Sequence, residues 1–192
     1  MADFPSLLQK LEFMRTRAIV IKKEMAREYD QLVTCYSEDY GTLRASARSV
    51  CKPRSLQSMH LDVLNLIEFE LVHGKALPII ASAQVLNQFS DIKTSLPRLA
   101  SAQFFAEVLD KVSFENEKDP KLWEFLNGML TEISTVKEKD LLKMFRDHQS
   151  KFLHALGYAD AAKHLEIPVD LFFEQTVGQN IHSLRLLYSV LK

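Results

Sequence analysis

The segment GTLRASARSVCKPRS, residues 41–55, alternates small apolar side chains with basic ones behind a glycine. Successive side chains of a strand leave opposite faces, so Leu43, Ala45 and Ala47 share one face and Arg44, Ser46 and Arg48 the other. The first set is small enough to line a narrow barrel, where large side chains find no room. The second set carries its guanidinium groups to solvent, and the loop CKPRS (51–55) adds Lys52 and Arg54. Gly41 ends a turn, SEDYG (37–41), and supplies the backbone angle that side-chain-bearing residues enter only at a cost.

Further strands flank this one. TRAIVIK (16–22) reads as a strand with Ala18 and Val20 on one face and Ile19 and Ile21 on the other; QLVTCY (31–36) reads as a second. Thr42 to Val50 is the third run. Leu61 to Val72, rich in Val, Ile and Phe, is predicted as a fourth, HGK (73–75) as a hairpin connection, and Leu77 to Gln84 as the fifth strand. Five strands in about seventy residues suit an oligonucleotide-binding (OB) barrel. An SH3-like barrel fits the strand count almost as well, and periodicity does not choose between them.

After Asn87 the period becomes helical. Ser95 is placed to cap a helix with Pro97 in its first turn and Leu99, Phe104, Val108 and Leu109 on one face. Asp119 followed by Pro120 signals another start. A third helix is predicted from about Glu138 to Leu156, stopping at Gly157, and an amphipathic one over 181–191. The expected fold class is therefore α+β and multi-domain: an N-terminal extension (1–14), a five-stranded barrel (15–86) and an all-α domain (87–192).

Composition is that of a globular protein, with 47% hydrophobic and 26% charged residues and a net charge of −1. Cys35 and Cys51 are too few for a disulfide framework or a four-ligand zinc site, and read as incidental thiols in a reducing compartment. The start MADFPSLLQKLEFMRTR carries Asp3 and no apolar core of a leader, and no apolar run reaches the roughly 18 residues of a membrane span. A soluble cytoplasmic protein with no membrane partner is expected.

Charge is distributed unevenly. Residues 15–54 hold nine Lys or Arg against five acids, whereas residues from 89 onward hold 13 against 15. A polyanion would bind the β domain. Tyr29, Tyr36 and Tyr40 are the aromatic residues there that could stack on bases, although Tyr29 and Tyr36 suit a core equally well. Charged residues on a solvated sheet face are common in any protein, so the asymmetry alone does not establish such a role.

Other constellations point to structure. His148, His154, His164 and His182 have no spacing that would gather a metal, and a core or solvated role suits them better. The pairs Phe104–Phe105, Trp123–Phe125 and Phe172–Phe173 read as core packing. Five glycines form no phosphate loop, and Glu38–Asp39 and Glu138 with Asp140 read as solvated or capping acids. No catalytic residue, metal site or cofactor is expected.

Residues 41–55 resemble the segment of the RecO family in which a glycine turn leads into Leu-Arg-Ala-x-Ala-Lys/Arg-x-Val and then a basic-Pro-basic-Ser loop. RTRAIVIK (15–22) resembles that family's first strand, YDQLVTCYSEDYG (29–41) its second strand and turn, and LIEFELVHGKALPII (66–80) its last hairpin. ASAQFFAEVLDKV (100–112), FLHALGYA (152–159) and HSLRLLYSVL (182–191) resemble its helical core and closing helix, all in the family's order. Two departures stand out: no cysteine follows Tyr158, where many members carry a four-cysteine zinc element, and the helical domain is shorter after Ala159.

The resemblance implies a bacterial, nucleoid-associated recombination mediator of the RecF-type repair pathway. Such a protein binds single- and double-stranded DNA, anneals strands, and with RecR loads RecA onto strands covered by single-strand-binding protein (SSB), whose C-terminal tail is a further partner. Its chemistry is binding through phosphate neutralisation, without catalysis. On the matching positions, Arg44, Arg48, Lys52 and Arg54 are the principal expected DNA contacts and Arg15, Arg17, Lys22 and Lys23 secondary ones. Two other readings stay open: an adaptor for RecR or SSB with little DNA affinity of its own, and an unrelated OB-type RNA-binding protein.

Overall fold

Strand β1 (Met14–Met25) is long enough to serve two neighbours, and this closes the barrel. Its first half, Met14 to Ile19, pairs antiparallel with β4 (Leu66–Val72), and Ala18 to Met25 pair with β2 (Gln31–Ser37). The register shifts between Val20 and Lys22, an extra residue of the kind that bends a strand sharply enough to turn a corner. β3 (Gly41–Ala47) pairs with β2, and β5 (Ile79–Asn87) runs between β4 and β3, meeting β3 in parallel at Ser46–Ile79. The order β1-β2-β3-β5-β4 in a closed five-stranded barrel is the Greek-key arrangement of the OB-fold. Strand order thus selects between two architectures that strand count barely separated. The computed structural model describes residues 14–158, 169–178 and 180–190. All of the expected extension except Met14, and with it His164 and Ala159, lies outside the described residues.

Parity along β3 is as read from the sequence. Leu43, Ala45 and Ala47 are buried in the barrel interior with Ala18, Val20, Val33, Cys35, Ile67 and Phe69, while Arg44 and Arg48 are exposed. Burial pushes the Cys35 thiol up to about 12, which leaves it an inert core group. Ile19, Ile21 and Tyr36 are buried as well but lie outside that interior cluster, so Tyr36 is not a surface platform.

Two strands are shorter than predicted. The run from Leu61 to Val72 becomes strand only at Leu66. Before it, a short helix α1 (Gln57–His60) and the next residues are tied into a turn by the Asn65 amide, which donates to the Met59 and His60 carbonyls at 3.0 and 2.9 Å. Leu61 and Leu64 are therefore buried from a turn, where an apolar run cannot be told from strand by pattern alone. The third strand ends at Ala47; Ser49 (φ 55) turns the chain, its amide donating to Asp30 Oδ1 at 2.8 Å.

The helices are α2 (Ser90–Thr94), α3 (Leu96–Val112), α4 (Pro120–Thr135), α5 (Leu141–Ala155), α6 (Val169–Val177) and α7 (His182–Val190), of which α2 and α6 are not foreseen from the sequence. Asp119 caps α4, its carboxylate accepting from the Lys121 and Leu122 amides. Ser95 occupies the cap position of α3 but makes no side-chain cap, and its hydroxyl is buried without a partner. α5 ends at Gly157 (φ 84), as its sequence predicts. Phe104 packs edge-to-face on Phe105, Phe145 and Phe173, and Phe105 on Phe152, with centroids 5.1 to 5.5 Å apart; Phe152 stacks on Phe173 at 5.9 Å, and His148 packs on Phe105 and Phe125.

The chain divides into two compact units, one running to Gln88 and including Phe114–Lys118, the other comprising Phe89–Ser113 and the residues from Asp119. The excursion at 114–118 follows from Gly41: the Asn116 amide donates to the Thr42 carbonyl at 2.9 Å, and a Cβ on Gly41 (φ +67) would lie 1.9 Å from the Glu117 carbonyl oxygen. Among the described residues no helix is long and apolar enough to cross a membrane.

Candidate nucleic-acid interface

A cleft of about 850 Å³ opens on the barrel where the β1–β2 turn, the outer face of β2 and β3, and the β4–β5 connection meet. OB-folds bind oligonucleotides across strands 2 and 3 between these same two loops. Leu32, Ser46, Leu77 and Ile79 give the cleft a partly apolar floor, and Arg27, Arg48 and Lys75 stand around it.

Local chemistry fixes each wall. The β1–β2 turn is closed by mutual backbone bonds of Arg27 and Asp30, and the Asp30 carboxylate is engaged by the Ser49 amide, which ties this turn to the end of β3. The Cys51 amide donates to the Tyr29 carbonyl at 3.0 Å, a second tie between the same segments. On the opposite wall, the Leu77 carbonyl folds onto Gly74 so closely that a Cβ there would lie 2.0 Å away. That approach shapes the connection carrying Lys75. The Ser46 amide donates to the Pro78 carbonyl at 2.8 Å and joins this wall to β3.

The expected contact residues fall into two groups. Arg48 lines the cleft, and Lys52 and Arg54 are exposed on the loop that follows; none of the three has an acidic partner among the described residues. The others are paired with acids. Arg15 bonds Glu68; Arg17 donates to both oxygens of Glu38 at 2.7 and 2.6 Å; Lys22 lies 3.3 Å from Glu24, and Lys23 2.9 Å from Asp62. Arg44 leaves the same face as Arg48 but lies between Glu24 (3.9 Å) and Glu115 (3.8 Å). Exposed pairs of this kind are individually weak. Their effect here is on charge, since a phosphate approaching any of these cations would also meet a carboxylate a few ångströms away.

Arg27 and Lys75 line the cleft without an acidic partner among the described residues, and the sequence reading did not single them out as contacts. Arg27 lies in sequence among Glu24, Glu28 and Asp30, which mask it in any local charge count, and Lys75 is alone in its hairpin. The signal available was positional, because both sit in the two loops that flank the binding face of an OB barrel. Among the described residues no group of three His, Cys, Asp or Glu is arranged to hold a metal.

The model of the family described as Recombination protein O N terminal matches residues 11–89, and that of Recombination protein O C terminal matches residues 93–161. The DNA repair protein RecO of Dehalococcoides mccartyi is 30% identical over 145 residues, covering 75% of this chain and 56% of that protein. That of Acetivibrio thermocellus is 29% identical over 150 residues, 78% of this chain and 59% of the relative. That of Roseiflexus is 30% identical over 144 residues, 75% and 50%. The chain thus spans between half and three fifths of the length of these relatives.

Proposed function

This chain belongs to the RecO family, and we propose that it is a DNA-binding recombination mediator that acts by binding alone. The observation that carries this reading is the OB-type cleft ringed by Arg27, Arg48 and Lys75, three cations without an acidic partner among the described residues, on a barrel where Arg15, Arg17, Lys22, Lys23 and Arg44 are paired with acids. Phosphates of a single strand take these cations, while the apolar floor accommodates sugar and base edges without reading sequence. In the same reading the protein anneals complementary strands in the bacterial cytoplasm and, with RecR, helps load RecA onto SSB-covered DNA. No catalytic group is assigned.

Titration of labelled single-stranded DNA at two salt concentrations tests this proposal. Affinity should fall steeply with salt, and the double variant Arg27→Ala/Arg48→Ala should bind more weakly with a shallower salt slope. Wild-type protein without salt-dependent DNA affinity that still captures RecR or the SSB tail would instead establish the adaptor reading. Tighter binding of RNA than of DNA of equal length would favour an RNA-binding role.

A further inference from the structure

The β1–β2 turn has a second side. Arg27 and Asp30 line the cleft, whereas Tyr29 does not; its ring lies beneath the Lys52 ammonium, 6.0 Å from the ring centroid, and is 41% exposed. Of the tyrosines near the barrel's basic segment, Tyr36 is core and Tyr40 packs against the barrel interior, so Tyr29 alone of the three offers a ring to solvent. Its support is rigid. The Tyr29 carbonyl holds the Cys51 amide at 3.0 Å, and the neighbouring Asp30 holds the Ser49 amide at 2.8 Å. Met25, 63% exposed, has its sulfur 3.8 Å from the Cys51 sulfur.

We infer that Tyr29, with Lys52 beside its ring, is a base-stacking platform that gives this barrel a preference for single strands over duplex. The inference rests on the DNA-binding reading and adds to it the residue that tells one strand type from the other. Phosphate contacts do not make that distinction, because both forms present a phosphate backbone. A stacking ring does, because bases inside a duplex already have both faces covered by their neighbours, and only an unpaired base brings a free face to the tyrosine. Lys52 sits at the outer limit of cation–π reach. It therefore holds the ring loosely, yields it to a base, and is placed to take the phosphate of the same nucleotide. A strand lying along the cleft on Arg48 and Arg27 reaches this platform by crossing the turn that carries both Arg27 and Tyr29.

The test compares wild-type protein with Tyr29→Ala and Tyr29→Phe on a labelled single-stranded oligonucleotide and on the matching duplex, each over a salt series. Tyr29→Ala should lose on the order of ten-fold in single-strand affinity, keep its duplex affinity, and keep its salt slope, since no charge is removed. Tyr29→Phe, which retains the ring, should bind as wild type does. Equal single-strand affinity of Tyr29→Ala and wild type would overturn the platform and leave the cleft standing. An equal loss on both strand types would overturn the selectivity. Wild type that binds no DNA would remove the functional reading together with this inference.

Discussion

At the scale of single residues, what separates one cation from another on this barrel is its neighbour. Arg17 and Arg48 are both exposed arginines near the ends of strands, but Arg17 is held by Glu38 through two bonds and Arg48 faces an open cleft. The Glu38 bonds hold the Arg17 guanidinium even further toward its charged form. Each of Arg27→Ala, Arg48→Ala and Lys75→Ala should reduce the salt slope of single-strand binding by about 0.7, whereas Arg17→Ala should leave it nearly unchanged. Slopes from anisotropy titrations over a salt series decide the matter; an equal effect of Arg17→Ala would show that ion pairing does not sort these residues. A second residue-scale effect concerns Gly41. Its positive φ and the Glu117 carbonyl at 1.9 Å from a would-be Cβ leave no room for alanine. Gly41→Ala should cost roughly 1–3 kcal/mol or more in denaturant unfolding, combining backbone strain with displacement of the 114–118 segment.

At the scale of elements, helix ends carry most of the polar detail. Asp119 satisfies two amides at the start of α4, and Asp119→Ala should destabilise the protein by about 1 kcal/mol in chemical denaturation. The start of α7 has no such residue of its own. Its cap comes from α3, where Glu107 accepts from the His182 amide at 3.0 Å, the Ser183 amide at 2.9 Å and the Ser183 hydroxyl at 2.6 Å. Burial is the largest single influence on this carboxyl and raises its pKa, but the bonds from Ser183, His182 and Lys111 together outweigh it and hold the group below its ordinary value. A carboxyl depressed in the folded state contributes stability that is complete above its unfolded pKa and is lost as pH falls through the folded one. Acidification below pH of about 4 should therefore loosen α7, seen as loss of amide exchange protection over residues 182–190, and Glu107→Gln should remove that pH dependence.

At the scale of the whole molecule, the net charge of −1 provides no long-range attraction for DNA, so the proposed binding would rest on local contacts. With about 0.7 of a counterion released per neutralised phosphate on a single strand, Arg27, Arg48 and Lys75 alone predict a log–log salt slope near −2, and Lys52 with Arg54 would extend it to roughly −3.5. A slope far steeper would mean that the paired cations bind phosphate too.

Much of this architecture was legible in the sequence: the alternation of Leu43, Ala45 and Ala47 with Arg44 and Arg48 is a local property of a strand, and so are the Asp119–Pro120 start and the Gly157 stop. The stretch Leu61–Asn65 was misread as strand because Leu61 and Leu64 look the same to a pattern whether they are buried from a strand or from a turn, and the Asn65 side-chain bonds that decide between them leave no periodic trace. Local sequence thus determined the succession of strands and then helices, the longer helices and the basic character of the β half, whereas strand order, a tertiary property, decided the type of barrel. The tertiary structure alone decided which cations are free, because Glu38, Asp62 and Glu115, which neutralise Arg17, Lys23 and Arg44, come from 21, 39 and 71 residues away along the chain. For the same reason only the fold could bring Arg27, Arg48 and Lys75 to one cleft: closing a barrel converts separation in sequence into adjacency in space, and the field at a surface depends on the second.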